Sequence, residues 1–121
     1  MVIYNKPIPI YFGRLVVIVN NDFNESFKKY HLSFEDSYDD CMGLSYHIES
    51  KNGIQQFFIF LNDHPTHSTI AHESLHITHY ILDHACHKPD YNNDEPECYL
   101  HDYIVGEIYK FLEKHNIKVK C

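Results

Sequence analysis

The segment His72-Glu73-Ser74-Leu75-His76 holds the residues best suited to catalysis in this chain. On a helix with about 3.6 residues per turn, positions i and i+4 lie on one face, one turn apart. Two imidazole nitrogens can then reach one metal ion, while Glu73 at the flank can hold a water molecule activated by that ion. The spacing therefore predicts a zinc site with His72 and His76 as ligands and Glu73 as the general base of a hydrolase.

A catalytic zinc ion needs a third protein ligand and one open position. The metzincin continuation of this motif would place Gly at position 79 and His at position 82, but the chain has His79 and Leu82 there. The third ligand must therefore come from elsewhere. Glu95, Glu97 and His101 on the next helix are the candidates. Two positions along a helix correspond to about 200° of rotation, so the two glutamates cannot both face the same zinc ion.

The order of motifs, HExxH followed across a loop by Glu95-Pro96-Glu97-Cys98-Tyr99, carries a family resemblance. From Thr69 to Phe111 the chain resembles short metallopeptidase-like proteins encoded by bacteriophages. It is more distantly similar to the zincin domain of ImmA/IrrE-type peptidases. Cys98 takes the place of the small residue usual in this pattern, and the strand Phe57–Asn62 before the motif fits it as well.

The resemblance implies a gluzincin-like zinc metallopeptidase that acts on a protein or peptide, in the host cytoplasm if the chain is phage-encoded. It points to Glu95 as the third ligand. The zinc ion would lower the pKa of its water toward about 7, and Glu73 would carry the proton to the leaving amine. Tyr99, His101 and Tyr103 are candidates for steadying the oxyanion, and the sequence does not choose among them. An extended peptide would add to the nearest hairpin strand.

Further polar residues could support this site from the same or the next helix. His79 and Asp83 fall on the helix face of the two motif histidines, where they could orient a ligand or form a plain polar pair. Asp102 could accept the outer N–H of a ligand imidazole, although an ordinary surface carboxylate is the commoner case. Cys86 and Cys98 flank the loop between the helices, where we expect simple packing, with redox sensitivity or a disulfide as the alternative.

Patterns of hydrophobicity predict the elements that must position these residues. Continuous runs of apolar residues indicate strands, and Lys51-Asn52-Gly53 indicates a hairpin turn. Apolar residues at helical spacing, preceded by capping residues, indicate helices. The predicted elements are a strand at 15–19, a helix at about 23–31, strands at 44–49 and 55–61, and helices at about 67–85 and 95–115. Residues 33–43, with Asp36, Asp39 and Asp40, are predicted to form a loop. This order predicts an α+β, minimal zincin-like fold, with a small, mostly antiparallel sheet packed on the HExxH helix and a C-terminal helix.

Bulk properties limit the classes of partner. The 121 residues, 44% of them hydrophobic, fit a single domain over 1–121. A net charge of −7 disfavours a nucleic-acid partner. Neither a secretory signal nor a run of about 20 apolar residues is evident, so we expect a cytoplasmic protein with no membrane partner. In that compartment the four cysteines are expected to be free thiols.

Two other functions are consistent with the same motif. The chain could be a catalytically silent zincin-fold protein that binds zinc and a partner protein. The presence of Glu73 argues against this, because a silent protein does not need a general base. Alternatively, a fourth protein ligand could close the site and make the zinc ion structural. The sequence indicates neither a substrate nor an oligomeric state.

Overall fold

A computed structural model describes residues 1–34, 38 and 41–121 of the chain. The predicted loop aspartates Asp36, Asp39 and Asp40 lie outside the described residues. Seven elements follow one another: β1 (Val2–Pro7), β2 (Arg14–Val19), α1 (Phe23–Lys29), β3 (Gly43–Glu49), β4 (Gln55–Leu61), α2 (His67–His84) and α3 (Glu95–Lys114). The predicted α+β class is therefore confirmed.

The four strands form one mixed sheet in the order β1-β2-β4-β3. The β1–β2 and β3–β4 pairings are antiparallel, and the β2–β4 pairing is parallel. The predicted β3–β4 hairpin is confirmed, and Gly53 adopts a φ of 79° in its turn. The sequence patterns did not predict β1, because only Tyr4 of its six residues is buried and no apolar alternation marks the strand.

Both faces of the two central strands are buried, which explains their continuous apolar sequences. One face, with Val17 and Ile59 at its centre, packs against the buried sides of α2 and α3. The opposite face carries Phe58 and Phe60, which pack against Phe27 of α1. The HExxH helix is therefore held on a rigid sheet, with β3 running beside it as an edge strand.

Local signals set the helix ends close to their predicted positions. The Thr66 side chain caps α2 by accepting a hydrogen bond from the Thr69 N–H at 3.1 Å. Asp22 caps α1 in the same way, through the N–H of Glu25. Pro96 occupies the first turn of α3, where its missing N–H costs no hydrogen bond. The described part of the chain contains no helix that is long and apolar enough to cross a bilayer.

Candidate metal and catalytic site

The two motif histidines converge in the structure as the helical spacing predicts. Their Nε2 atoms lie 3.1 Å apart, and one ring N–H can donate to the other ring. Two imidazole nitrogens bound to one tetrahedral zinc ion, each at about 2.0–2.1 Å, would lie about 3.3 Å apart. The pair His72 and His76 therefore already has the spacing of two ligands of one metal ion.

Glu73 lies beside this pair in a different environment. Its side chain is 9% exposed, whereas that of His72 is 67% exposed. Oε1 of Glu73 lies 3.9 Å from Nε2 of His72, and Oε2 accepts a hydrogen bond from the hydroxyl of Ser45 on β3. A buried carboxylate next to a solvent-facing imidazole pair can accept a proton from a molecule bound at that pair.

An open pocket of about 330 Å³ adjoins these residues at the N-terminal end of α2. His72 and Glu73 line it from the helix, and Gly43 lines it from β3. Cys41 and Met42 complete its rim, immediately before the edge strand. The pocket gives a small molecule or a peptide segment access to the Glu73 carboxylate and the His72 imidazole from solvent.

The expected third ligand does not join the two histidines. Glu95 is exposed at the first position of α3, and within residues 1–34, 38 and 41–121 no three His, Cys, Asp or Glu side chains converge on one point. The rotation of α3 explains this placement. Leu100 and Ile104 are buried. Glu97 is three residues before Leu100 and seven before Ile104, so it lies on the same side of the helix as both.

Glu97, the competing candidate, therefore faces α2 and forms a hydrogen bond with Nε2 of His79. These side chains are 28% and 49% exposed. His79 is one turn beyond His76, so the contact places a carboxylate of α3 close to the motif face of α2. The Nε2 atom of His101, the remaining candidate, is buried and has no hydrogen-bond partner in the described part of the chain.

Tyr99 does not line the pocket beside the motif residues. It is 70% exposed and lines a separate pocket with Tyr11 and Tyr103, beside the β1–β2 loop. The Tyr103 hydroxyl donates a hydrogen bond to a carboxylate oxygen of Glu107 at 3.5 Å. Both tyrosines therefore line a different pocket from the one that His72 and Glu73 line.

The remaining polar residues either contact another candidate residue or lie exposed at the surface. His79 forms the contact with Glu97, whereas Asp83 and Asp102 are exposed, and within the described residues neither accepts a hydrogen bond from a motif histidine. Cys86 and Cys98 are exposed, and all four cysteines are free thiols. Ser45 was not predicted, because a serine in a strand carries no signal until the strand register is known.

Comparison of the chain with protein-family models, with curated proteins and with solved structures found no match.

Proposed function

We propose that this chain is a zinc-dependent metallopeptidase of the gluzincin type. The observation that carries the proposal is the buried Glu73 carboxylate beside two imidazole nitrogens that are 3.1 Å apart. This combination matches what a hydrolase needs: a pair of metal ligands and a general base on the next residue of the same helix.

His72 and His76 would supply two ligands, and a glutamate in the first turn of α3 would supply the third. The family resemblance favours Glu95, whereas the rotation of α3 favours Glu97, whose carboxylate already faces α2. A bound zinc ion would supply Lewis acidity. It would lower the pKa of a water molecule, which could then lose a proton and attack a peptide carbonyl at neutral pH.

The residues of the chain account for the remaining steps. Glu73 would accept the proton of the attacking water and pass it to the nitrogen of the departing amine. The pocket between α2 and β3 would admit the scissile bond. The outer edge of β3 would bind the substrate as an extended strand through main-chain hydrogen bonds. The substrate class is therefore a protein or peptide in an extended conformation.

The test is the zinc content of the purified chain after exchange into metal-free buffer. We expect about one zinc ion per chain in the wild type and a loss in His76→Ala. Comparing Glu95→Gln with Glu97→Gln identifies the third ligand, because only the ligand's substitution should release the metal. Glu113→Gln is the matched control, since Glu113 is an exposed carboxylate far along the same helix. A wild-type chain that holds no zinc under zinc-replete conditions would end the proposal.

A second candidate function is a zinc-binding protein without catalysis. The spacing of the two imidazole nitrogens supports it, because that spacing serves metal binding whether or not Glu73 acts as a base. Cleavage of a quenched fluorescent peptide library separates the two functions. The peptidase predicts cleavage that a chelator abolishes and added zinc restores, whereas the silent protein predicts zinc binding without cleavage.

A further inference from the structure

The edge strand β3 runs directly along the Glu73 side chain. Leu44, Tyr46 and Ile48 pack into the apolar cluster on the far face of the sheet. Because side chains alternate along a strand, Gly43 and Ser45 point to the other face, where α2 lies. These two positions are the ones at which β3 meets the candidate catalytic residue.

Ser45 contacts two acceptors of the same residue. Its Oγ forms a hydrogen bond with Oε2 of Glu73 and lies 3.1 Å from the Glu73 carbonyl oxygen. A hydroxyl group has one proton to donate. The carbonyl oxygen belongs to the helix, where it accepts the N–H of Ile77, and the carboxylate is the stronger acceptor because it is charged. The Ser45 proton is therefore directed to Oε2.

This hydrogen bond orients the carboxylate. With Oε2 held by β3, the second oxygen, Oε1, is the one turned toward His72, at 3.9 Å from its Nε2 atom. A general base is efficient when its free oxygen is already within reach of the proton that it accepts. Ser45 thus leaves Oε1 available and fixes its direction.

Gly43 makes this approach of strand and helix possible. A Cβ atom at position 43 would lie 2.7 Å from Cγ2 of Thr69 and 3.1 Å from Cγ of Glu73. Real Cβ atoms do not reach the first distance, so any larger residue would move β3 away from α2 or displace the two side chains. The lack of a side chain at position 43 keeps Ser45 within hydrogen-bond reach of Glu73.

We propose that Ser45 is a positioning residue for Glu73, and that Gly43 permits the close strand–helix contact on which this positioning depends. The inference rests on the proposed function, since it assigns Ser45 a role through the general base. Positioning acts on the chemical step and leaves the binding of substrate along β3 unchanged.

The first measurement is the steady-state kinetics of Ser45→Ala, Ser45→Thr and Ser50→Ala on one peptide cleaved by the wild type. We expect Ser45→Ala to lower kcat by about 10- to 100-fold with KM unchanged, because the base is no longer held in its productive orientation. Ser45→Thr keeps the hydroxyl and should recover most of the rate. Ser50→Ala, one residue beyond the end of the same strand, should match the wild type. Equal kcat values for Ser45→Ala and the wild type would overturn the inference.

The second measurement needs neither zinc nor substrate. In chelator-treated protein, the effect of Ser45→Ala on the unfolding equilibrium is compared in the wild type and in Glu73→Met. We expect Ser45→Ala to raise the unfolding constant by about tenfold when Glu73 is present and only slightly in Glu73→Met. An equal effect in both backgrounds would overturn the inference, even for an active enzyme. A coupling of the two residues in a chain that binds zinc and cleaves nothing would instead refute the proposed function, and the catalytic role of Ser45 with it.

Discussion

Glu73 and Glu107 are both helix carboxylates that accept a hydrogen bond from a hydroxyl group on an edge strand, and they lie at opposite edges of the same sheet. Ser45 on β3 donates to Glu73 on α2, and Tyr4 on β1 donates to Glu107 on α3 at 3.0 Å. Both are largely buried, with side chains that are 9% and 19% exposed. The local architecture of the two pairs is therefore nearly the same.

Their neighbours differ. Lys110 lies 3.6 Å from Glu107, so a cation of the chain already offsets that charge, and Tyr103 adds a second hydroxyl. Within the described residues no lysine or arginine pairs with Glu73, which instead borders the two exposed imidazoles. A carboxylate that is already paired with a cation of the chain, as Glu107 is, contributes to the stability of the fold. A buried carboxylate without one, beside two potential metal ligands and an open pocket, is equipped to accept a proton or to act near a bound cation.

The sharpest test of this contrast is the pair of substitutions Glu73→Gln and Glu107→Gln. We expect Glu73→Gln to lower kcat for peptide cleavage by at least about 100-fold, because the amide cannot accept the water proton. Zinc content should stay at about one per chain. Glu107→Gln should leave kcat unchanged. The two carboxylates would not differ in function if both variants lost activity equally, and the contrast would then fail.

A second test asks whether a metal ion stabilises the folded chain through His76. Free zinc at 100 times its dissociation constant should raise the free energy of unfolding by about 2.7 kcal/mol, because only the folded chain presents both imidazoles at the right spacing. Urea denaturation with zinc and with a chelator measures this difference. His76→Ala should abolish it, and the exposed His64→Ala should retain it. An equal zinc effect in His76→Ala would place the metal elsewhere on the chain.

Removing the hydroxyl at the other edge should affect stability alone. Tyr4 is buried, and Tyr4→Phe removes its hydrogen bond to a charged group, so we expect a loss of about 1.5 kcal/mol in the free energy of unfolding. Zinc content should not change. Tyr91→Phe is the matched control, since Tyr91 is 98% exposed. A Tyr4→Phe chain that unfolds like the control would show that the Glu107 pair contributes nothing to the fold.

The smallest expected effect is the response to alkaline pH. Burial raises the pKa of Tyr4, and the neighbouring Glu107 carboxylate raises it further. In the unfolded chain this hydroxyl ionises near pH 10, so the stability it contributes is complete below that pH and is lost as the pH rises toward the higher folded pKa. Tyr4→Phe should therefore lose less stability than the wild type between pH 8 and pH 10.5. An unchanged pH dependence would contradict this assignment.

Much of the fold could be predicted from local patterns. The β3–β4 hairpin, β2 and the three helices have sequence signals that act over a few residues: an Asn-Gly turn, an apolar run, or a capped helical repeat. The predicted helix at 67–85 agrees with α2 to within one residue. β1 carries no such signal, since its strand geometry comes from pairing with β2.

The candidate site likewise has features that follow from local sequence and features that depend on packing between helices. The convergence of His72 and His76 follows from helix geometry alone, because both residues belong to one helix. The identity of the candidate third ligand depends on how α3 is rotated, and burial of Leu100 and Ile104 turns Glu97 rather than Glu95 toward α2. The same rotation leaves Tyr99, one of three candidates for steadying the oxyanion, exposed on another side of the helix.

The sequence by itself determined the spacing of the two imidazoles, the glutamate between them and the elements that carry them, since each depends on neighbours within a turn or a hairpin. Only the tertiary structure decided which groups surround Glu73. Ser45 is 28 residues away in sequence, and its contact exists because the register of β3 on β4 and the lack of a side chain at Gly43 bring strand and helix together. Such contacts arise from packing between elements, which has no local signature in the chain.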